Sequence, residues 1–219
     1  MIEIYPTFRR VLFLFIRRDT PMKIPEIAII KYNAGNIRSV MIALERLGVQ
    51  GYLTDDPEEI TRAKRVIFPG VGEAGTAMQS LRVKGLDKLI PTLTQPFLGT
   101  CIGMQLLCRH SEESDTTCLG IFDVQIKRFI PLAGEKIPQT GWNRISGYRT
   151  PLCEGLQEGA FVYYNHGYYA PLSQYTVAET THMHPYSAIL QKDNFFACQF
   201  HSEISGAVGE QIFKNFLKM

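Results

Sequence analysis

Pro96-Phe-Leu-Gly-Thr-Cys-Ile-Gly-Met-Gln-Leu-Leu107 passes from a short apolar, β-prone segment, through a cysteine flanked by Gly99 and Gly103, into a stretch of helix formers. Small residues two positions to either side of Cys101 suit a tight strand-to-helix turn, the thiol counterpart of the G-x-S-x-G elbow that lifts a nucleophile clear of a sheet. The helix read from Ile102 to Leu107 presents its positive end to Cys101, which favours thiolate over thiol. A cysteine in an apolar stretch is ordinarily a small buried hydrophobe, and Cys108, Cys118, Cys153 and Cys198 are read that way. The flanking glycines set Cys101 apart.

Upstream of that turn, Glu26-Ile-Ala-Ile-Ile-Lys31 reads as a first strand and Tyr32-Asn-Ala-Gly-Asn36 as a turn-rich loop. Val40, Leu44 and Leu47 then recur at helical spacing before Gly48 ends the helix. A second strand at Gly51-Tyr-Leu53, a helix start at Asp55-Asp-Pro-Glu58 and a third strand at Arg65-Val-Ile-Phe68, ending at Pro69, continue the alternation. Such alternation through short loops predicts parallel strands in a sheet covered on both faces, with sites at the carboxyl ends of the strands. Beyond about Asp123 the pattern becomes β-rich and aromatic, with strands expected at 122–129, 161–164, 175–178, 187–190 and 195–200. A closing amphipathic helix at 206–217 carries Val208, Ile212, Phe213 and Phe216 on one face. The expected fold class is α/β: one domain, with a central mixed, mostly parallel sheet flanked by helices.

Composition bounds the function. A chain of 219 residues, 45% hydrophobic, accommodates one well-buried domain and is short for two. Its 23 basic and 21 acidic residues are interspersed, so no basic stripe exists to neutralise a phosphate backbone, and nucleic acid is excluded as a ligand. Five widely spaced cysteines, an odd set, fit a reducing cytoplasm better than a disulfide framework. The apolar run from Val11 to Ile16, between two arginine pairs, is too short to cross a bilayer or to form a signal core. Residues 1–21 are read as an N-terminal extension, either a start displaced upstream of Met22 or a weak extra strand, and residues 22–219 as the functional domain.

A thiol nucleophile needs a base, and the base needs a group that holds its tautomer. His201-Ser-Glu203 supplies both if it leaves the preceding strand extended, because side chains at i and i+2 then face the same way. His182 and His184, together with Cys198 and His201, lack the supporting spacing of a zinc site, and the first two are read as solvated in a polar turn before Pro185; no metal is expected. Gly70-Val-Gly-Glu-Ala-Gly75 matches G-x-G-x-x-G, which makes a nicotinamide-binding protein the rival reading. It follows the third strand rather than the first, Pro69 precedes it, and no acidic strand end lies about twenty residues on. In an acyl-transfer enzyme the same turn serves otherwise: the backbone N–H groups of Val71 and Gly72, with that of Ile102, would bind the oxyanion formed when Cys101 attacks a carbonyl. No cofactor is then required.

Taken together, Pro69-Gly-Val-Gly72, Gly99-Thr-Cys-Ile-Gly-Met-Gln105, Lys136-Ile-Pro-Gln-Thr-Gly-Trp-Asn143 and Gln199-Phe-His-Ser-Glu203 resemble the class I glutamine amidotransferases, and specifically the glutaminase subunits of imidazole glycerol phosphate synthase. The Tyr32–Asn36 loop and Gly141-Trp-Asn143 point to these subunits rather than to amidotransferases in general. The resemblance implies a flavodoxin-like fold and a Cys101, His201 and Glu203 triad that hydrolyses L-glutamine through a thioester. It also implies a heterodimeric partner, a cyclase of (β/α)8 form that uses the ammonia in histidine biosynthesis. It places Gln105 and Glu113 in the glutamine pocket, where a carboxylate suits the substrate's ammonium group. This chain departs from the family's usual pattern in having Ser202 for proline, Ile204 for lysine, Gln139-Thr140 for His-Met, and Asn165-His-Gly-Tyr168 for Val-His-Ser-Tyr. These positions leave open a diverged paralogue feeding another synthase, as in sugar biosynthesis; a second alternative is a non-catalytic relative that keeps the fold but not the chemistry. The retained triad argues against the second.

Overall fold

The computed structural model describes residues 26–32, 37–131, 134 and 136–219. The extension at 1–21 and Asn33 to Asn36 of the turn-rich loop lie outside them. In chain order the first half runs β1 (Ile27–Ile30), α1 (Ile37–Arg46), β2 (Gly51–Thr54), α2 (Pro57–Arg62), β3 (Arg65–Phe68), α3 (Ala74–Val83), α4 (Leu86–Leu89), β4 (Phe97–Thr100) and α5 (Ile102–Leu107). The second half runs β5 (Cys108–Ser111), β6 (Thr116–Thr117), β7 (Phe122–Arg128), β8 (Gln139–Arg144), β9 (Phe161–His166), β10 (Tyr168–Tyr169), β11 (Thr176–His182), β12 (His184–Lys192), β13 (Phe195–Cys198) and α6 (Gly206–Phe216).

Seven strands form the central sheet in the order β11-β12-β13-β4-β3-β1-β2. Pairing is parallel from β2 through β13 and antiparallel at β13–β12 and β12–β11, the mixed, mostly parallel sheet that the alternation predicts. Period-2 alternation assigns each strand's side chains to two cores. Ala28, Ile30, Val66, Phe68 and Phe97 pack beneath α2 to α5, while Ile27, Ile29, Ile67 and Leu98 pack beneath α1 and α6. With both faces covered, β1 is fully buried along its length, which is why it reads as an unbroken apolar run. Local signals end the helices as expected: Asp56 caps α2 by accepting from Glu58 N–H, with Pro57 opening the helix, and Gly48, at φ 74°, terminates the α1 turn.

The second half departs from the sequence expectation in its pairing. β7 does not join the central sheet; it belongs to a four-stranded sheet, β10-β7-β5-β6, and β9 forms a two-stranded antiparallel sheet with β8. β8 was not expected as a strand, because its residues alternate no apolar face: only Gln139 is buried. His182 and His184 do not sit in a solvated turn. They oppose each other in the β11–β12 hairpin, half-buried, with ring centroids 5.3 and 5.6 Å from that of Phe129. The hairpin strands are longer than expected and fold back over Phe129, which supplies the apolar surface these rings cover.

Candidate active site

The turn between β4 and α5 holds Cys101 at φ 51°, ψ −112°, a backbone conformation that a residue with a side chain adopts only when its surroundings force it. The force is visible at Gly103, where a Cβ would lie 2.2 Å from the Phe68 carbonyl oxygen; α5 is thus pressed directly on the end of β3. Cys101 N–H donates to the Cys198 carbonyl at 2.8 Å, tying the elbow to β13 as well. The residue is 6% exposed, and its Sγ lies 3.9 Å from the Asn165 carbonyl at the end of β9.

His201 follows β13, 2% exposed. Its Nδ1 is 2.8 Å from Glu203 Oε1, with both side chains almost fully buried. The pairing is the one anticipated, but the backbone reaches it differently: β13 ends at Cys198, and Ser202–Ile204 form a 3-10 turn rather than an extended segment. Ser205 closes that turn. Its hydroxyl donates to the His201 carbonyl at 2.6 Å and accepts from Tyr163 N–H at 3.0 Å, while His201 N–H donates to the Tyr163 carbonyl at 2.9 Å. These clamps on β9 are contacts over about 40 residues of chain, and only the serine before the α6 glycine hinted at them.

With Nδ1 committed to Glu203, the other ring nitrogen is left for the thiol. Burial opposes charging of His201, but its neighbours, Cys101 first and then Glu203, outweigh it, and the imidazolium is held above its ordinary range, at about 10. The surroundings of His201 therefore favour its protonated form.

The Gly70–Gly72 turn leaves the carboxyl end of β3 beside the elbow. A Cβ on Gly70 would lie 2.2 Å from Ile102 Cγ2 and 2.7 Å from Gly103 N. Val71 and Ile102, whose N–H groups are the candidate oxyanion donors, therefore belong to two segments in direct contact, and Gly72 takes φ 134°. The nicotinamide reading fails at this turn on physical grounds. The N–H groups that would hold a pyrophosphate at the start of α3 already have carboxylate partners: Ala74 donates to Glu113 Oε2, and Gly75 and Thr76 donate to Glu73, each at 2.8 Å.

Glu113 therefore stands against α3 and the glycine turn. Half-burial pushes its carboxyl above the usual range, the Ala74 N–H opposes this, and the charge of Glu73 adds to it. Gln105, one turn beyond Cys101, is 3% exposed; its Nε2 donates to the Tyr168 carbonyl at 3.0 Å and to Gln199 Oε1 at 3.2 Å, tying α5 to β10 and to the residue just after β13. Among the described residues, no group of three or more His, Cys, Asp or Glu side chains is placed to hold a metal ion, and no helix is long and apolar enough to cross a membrane.

The family model described as glutamine amidotransferase class-I matches residues 29–219. The chain is 54% identical over 195 residues to the imidazole glycerol phosphate synthase subunit HisH of Bacteroides thetaiotaomicron, covering 89% of this chain and all of that one. It is 43% identical over 212 residues to the subunit of the same name from Shewanella oneidensis, covering 89% and 96%. Among solved structures, a glutamine amidotransferase shares the fold with a TM-score of 0.69 at 18% identity, covering 88% of this chain and 97% of that one. The chain belongs to the class-I glutamine amidotransferase family, in the group of HisH subunits of imidazole glycerol phosphate synthase.

Proposed function

We propose that the chain hydrolyses L-glutamine to glutamate and ammonia and passes the ammonia to a cyclase subunit, which forms imidazole glycerol phosphate and aminoimidazole carboxamide ribotide in histidine biosynthesis. The observation that carries the reading is the buried His201 imidazole, 2.8 Å from Glu203 and shifted toward its charged form by the neighbouring Cys101, beside an elbow at φ 51°. With its proton already held on His201, Cys101 Sγ attacks the side-chain amide carbon, and the carbonyl oxygen becomes an oxyanion facing the N–H groups of Val71, Gly72 and Ile102. Collapse breaks the C–N bond as His201 returns the proton to the leaving nitrogen, giving ammonia and a thioester. Water, deprotonated by His201, then hydrolyses the thioester, and glutamate leaves. Gln105 and Glu113 hold the substrate end of the pocket, and Glu203 keeps the imidazole oriented and stabilises its charged form.

The product sets the partner. Ammonia released to water protonates and loses its nucleophilicity, so a glutaminase of this kind works with an acceptor enzyme docked beside it, here a (β/α)8 cyclase in a cytoplasmic heterodimer. Substitution of Cys101 by alanine tests the assignment. Cys101→Ala is expected to abolish glutamine-dependent synthesis while synthesis from added ammonium continues, since only the ammonia source is lost. Persistence of glutamine-dependent turnover would end the nucleophile assignment, and stimulation of a different synthase in place of the cyclase would move the chain to another pathway.

A further inference from the structure

The carbonyl that opens the glycine turn is held by one hydroxyl. Tyr32, two residues beyond the end of β1, is 4% exposed and donates from its phenol oxygen to the Pro69 carbonyl at 2.6 Å. Its ring stands edge-on to Phe68 with centroids 5.1 Å apart, so the hydroxyl is delivered by a packed, buried side chain. The next two peptides lie between Gly70 and Gly72, neither of which has a Cβ to restrict them. A Cβ on Gly70 would also meet the Tyr32 oxygen at 3.0 Å, so hydroxyl, turn and elbow form one contiguous contact.

We propose that Tyr32 is a positioning residue for the oxyanion: by holding the Pro69 carbonyl, it sets the plane of the Pro69–Gly70 peptide and with it the direction of the Val71 and Gly72 N–H groups. This rests on the reading of that turn given under Proposed function. Burial, and after it the charge of Cys101, push the Tyr32 phenol well above its ordinary value, so it remains a neutral donor throughout the working pH range. Without the hydroxyl the buried Pro69 carbonyl has lost its partner, and the glycine-flanked peptides are free to rotate toward another donor.

Tyr32→Phe removes one oxygen and keeps the ring contact with Phe68. Two rates are compared between variant and wild type, each alone and with the cyclase subunit: steady-state glutamine hydrolysis, and alkylation of Cys101 by iodoacetamide, followed by mass spectrometry of the peptide that carries it. Alkylation displaces iodide from a tetrahedral carbon and forms no oxyanion, so it reports the elbow without the turn. The expected result is a kcat lowered by about 10- to 100-fold, approaching the loss of one oxyanion donor, with KM and the alkylation rate within about twofold of wild type. A kcat within about twofold of wild type overturns the proposal. So does a parallel fall in alkylation or a loss of cooperative melting, either of which assigns Tyr32 to holding the elbow itself. A wild-type chain that hydrolyses no glutamine with or without the cyclase would instead remove the site reading beneath it.

Discussion

Gly103→Ala tests whether the contact between α5 and β3 holds the elbow. The added Cβ would lie 2.2 Å from the Phe68 carbonyl oxygen and 3.1 Å from its carbonyl carbon, both backbone atoms of a central strand that has no rotamer with which to yield. A carbon and a carbonyl oxygen approach no closer than roughly 3.3 Å, so α5 and β3 must part by about 1 Å. Overpacking of this kind costs about 1–3 kcal/mol, which for a chain of this size lowers Tm by about 2–12 °C. The displacement also separates Ile102 from the glycine turn, and a misplacement of about 1 Å at a reacting centre costs on the order of 10²-fold in rate. The control is Gly120→Ala, where φ is 71° but nothing lies within 4 Å of the added carbon; it should lose only the left-handed backbone penalty, about 1–2 kcal/mol, with kcat unchanged. Thermal melts and glutaminase kcat, measured on both variants, decide the matter. If Gly103→Ala retains the kcat of the Gly120 control, the elbow does not depend on this contact.

His166 is buried and held neutral, its imidazolium pushed down to about 3 chiefly by burial, against a hydrogen bond to the Tyr168 carbonyl and with the charges of His201 and His182 adding. Because its folded value lies below the unfolded 6.5, the unfolded chain binds the extra proton between pH 6.5 and 3, and stability must fall as pH drops through that window. Relative to His166→Asn, the wild type should lose up to about 1.4 kcal/mol more per pH unit there, as measured by urea unfolding from pH 7.5 to 4.5; equal slopes would refute a neutral buried imidazole. For coupling, the isolated chain should hydrolyse glutamine slowly, and the cyclase with its ribonucleotide ligand should raise kcat by about 10²-fold; full activity without a partner would sink that model. Ile204, 39% exposed beside Glu203, carries no charge; if the cyclase docks at that point, stimulation of the wild type should vary less with salt than that of Ile204→Lys.

Much of this protein is legible without coordinates because the signals are local. Apolar runs such as Ile27–Ile30 announce strands buried on both faces, and the Gly99–Gly103 spacing announces a turn that only small residues permit. Each depends on neighbours within a few positions, so periodicity and steric rules suffice. The β8–β9 pairing, the move of β7 to a second sheet and the burial of His182 and His184 against Phe129 were not legible, since they are set by which distant surfaces meet. The 3-10 turn that brings Glu203 to His201 is of the same kind: it is closed by Ser205 bonding to Tyr163, a contact that no window of sequence contains. Sequence by itself determined the residue types of the site and their places at strand ends, because backbone sterics and periodicity are local. Tertiary structure alone decided how Tyr32, the glycine turn, the elbow and the His201 turn converge, because parallel strands far apart in the chain bring their carboxyl ends together only when the sheet assembles.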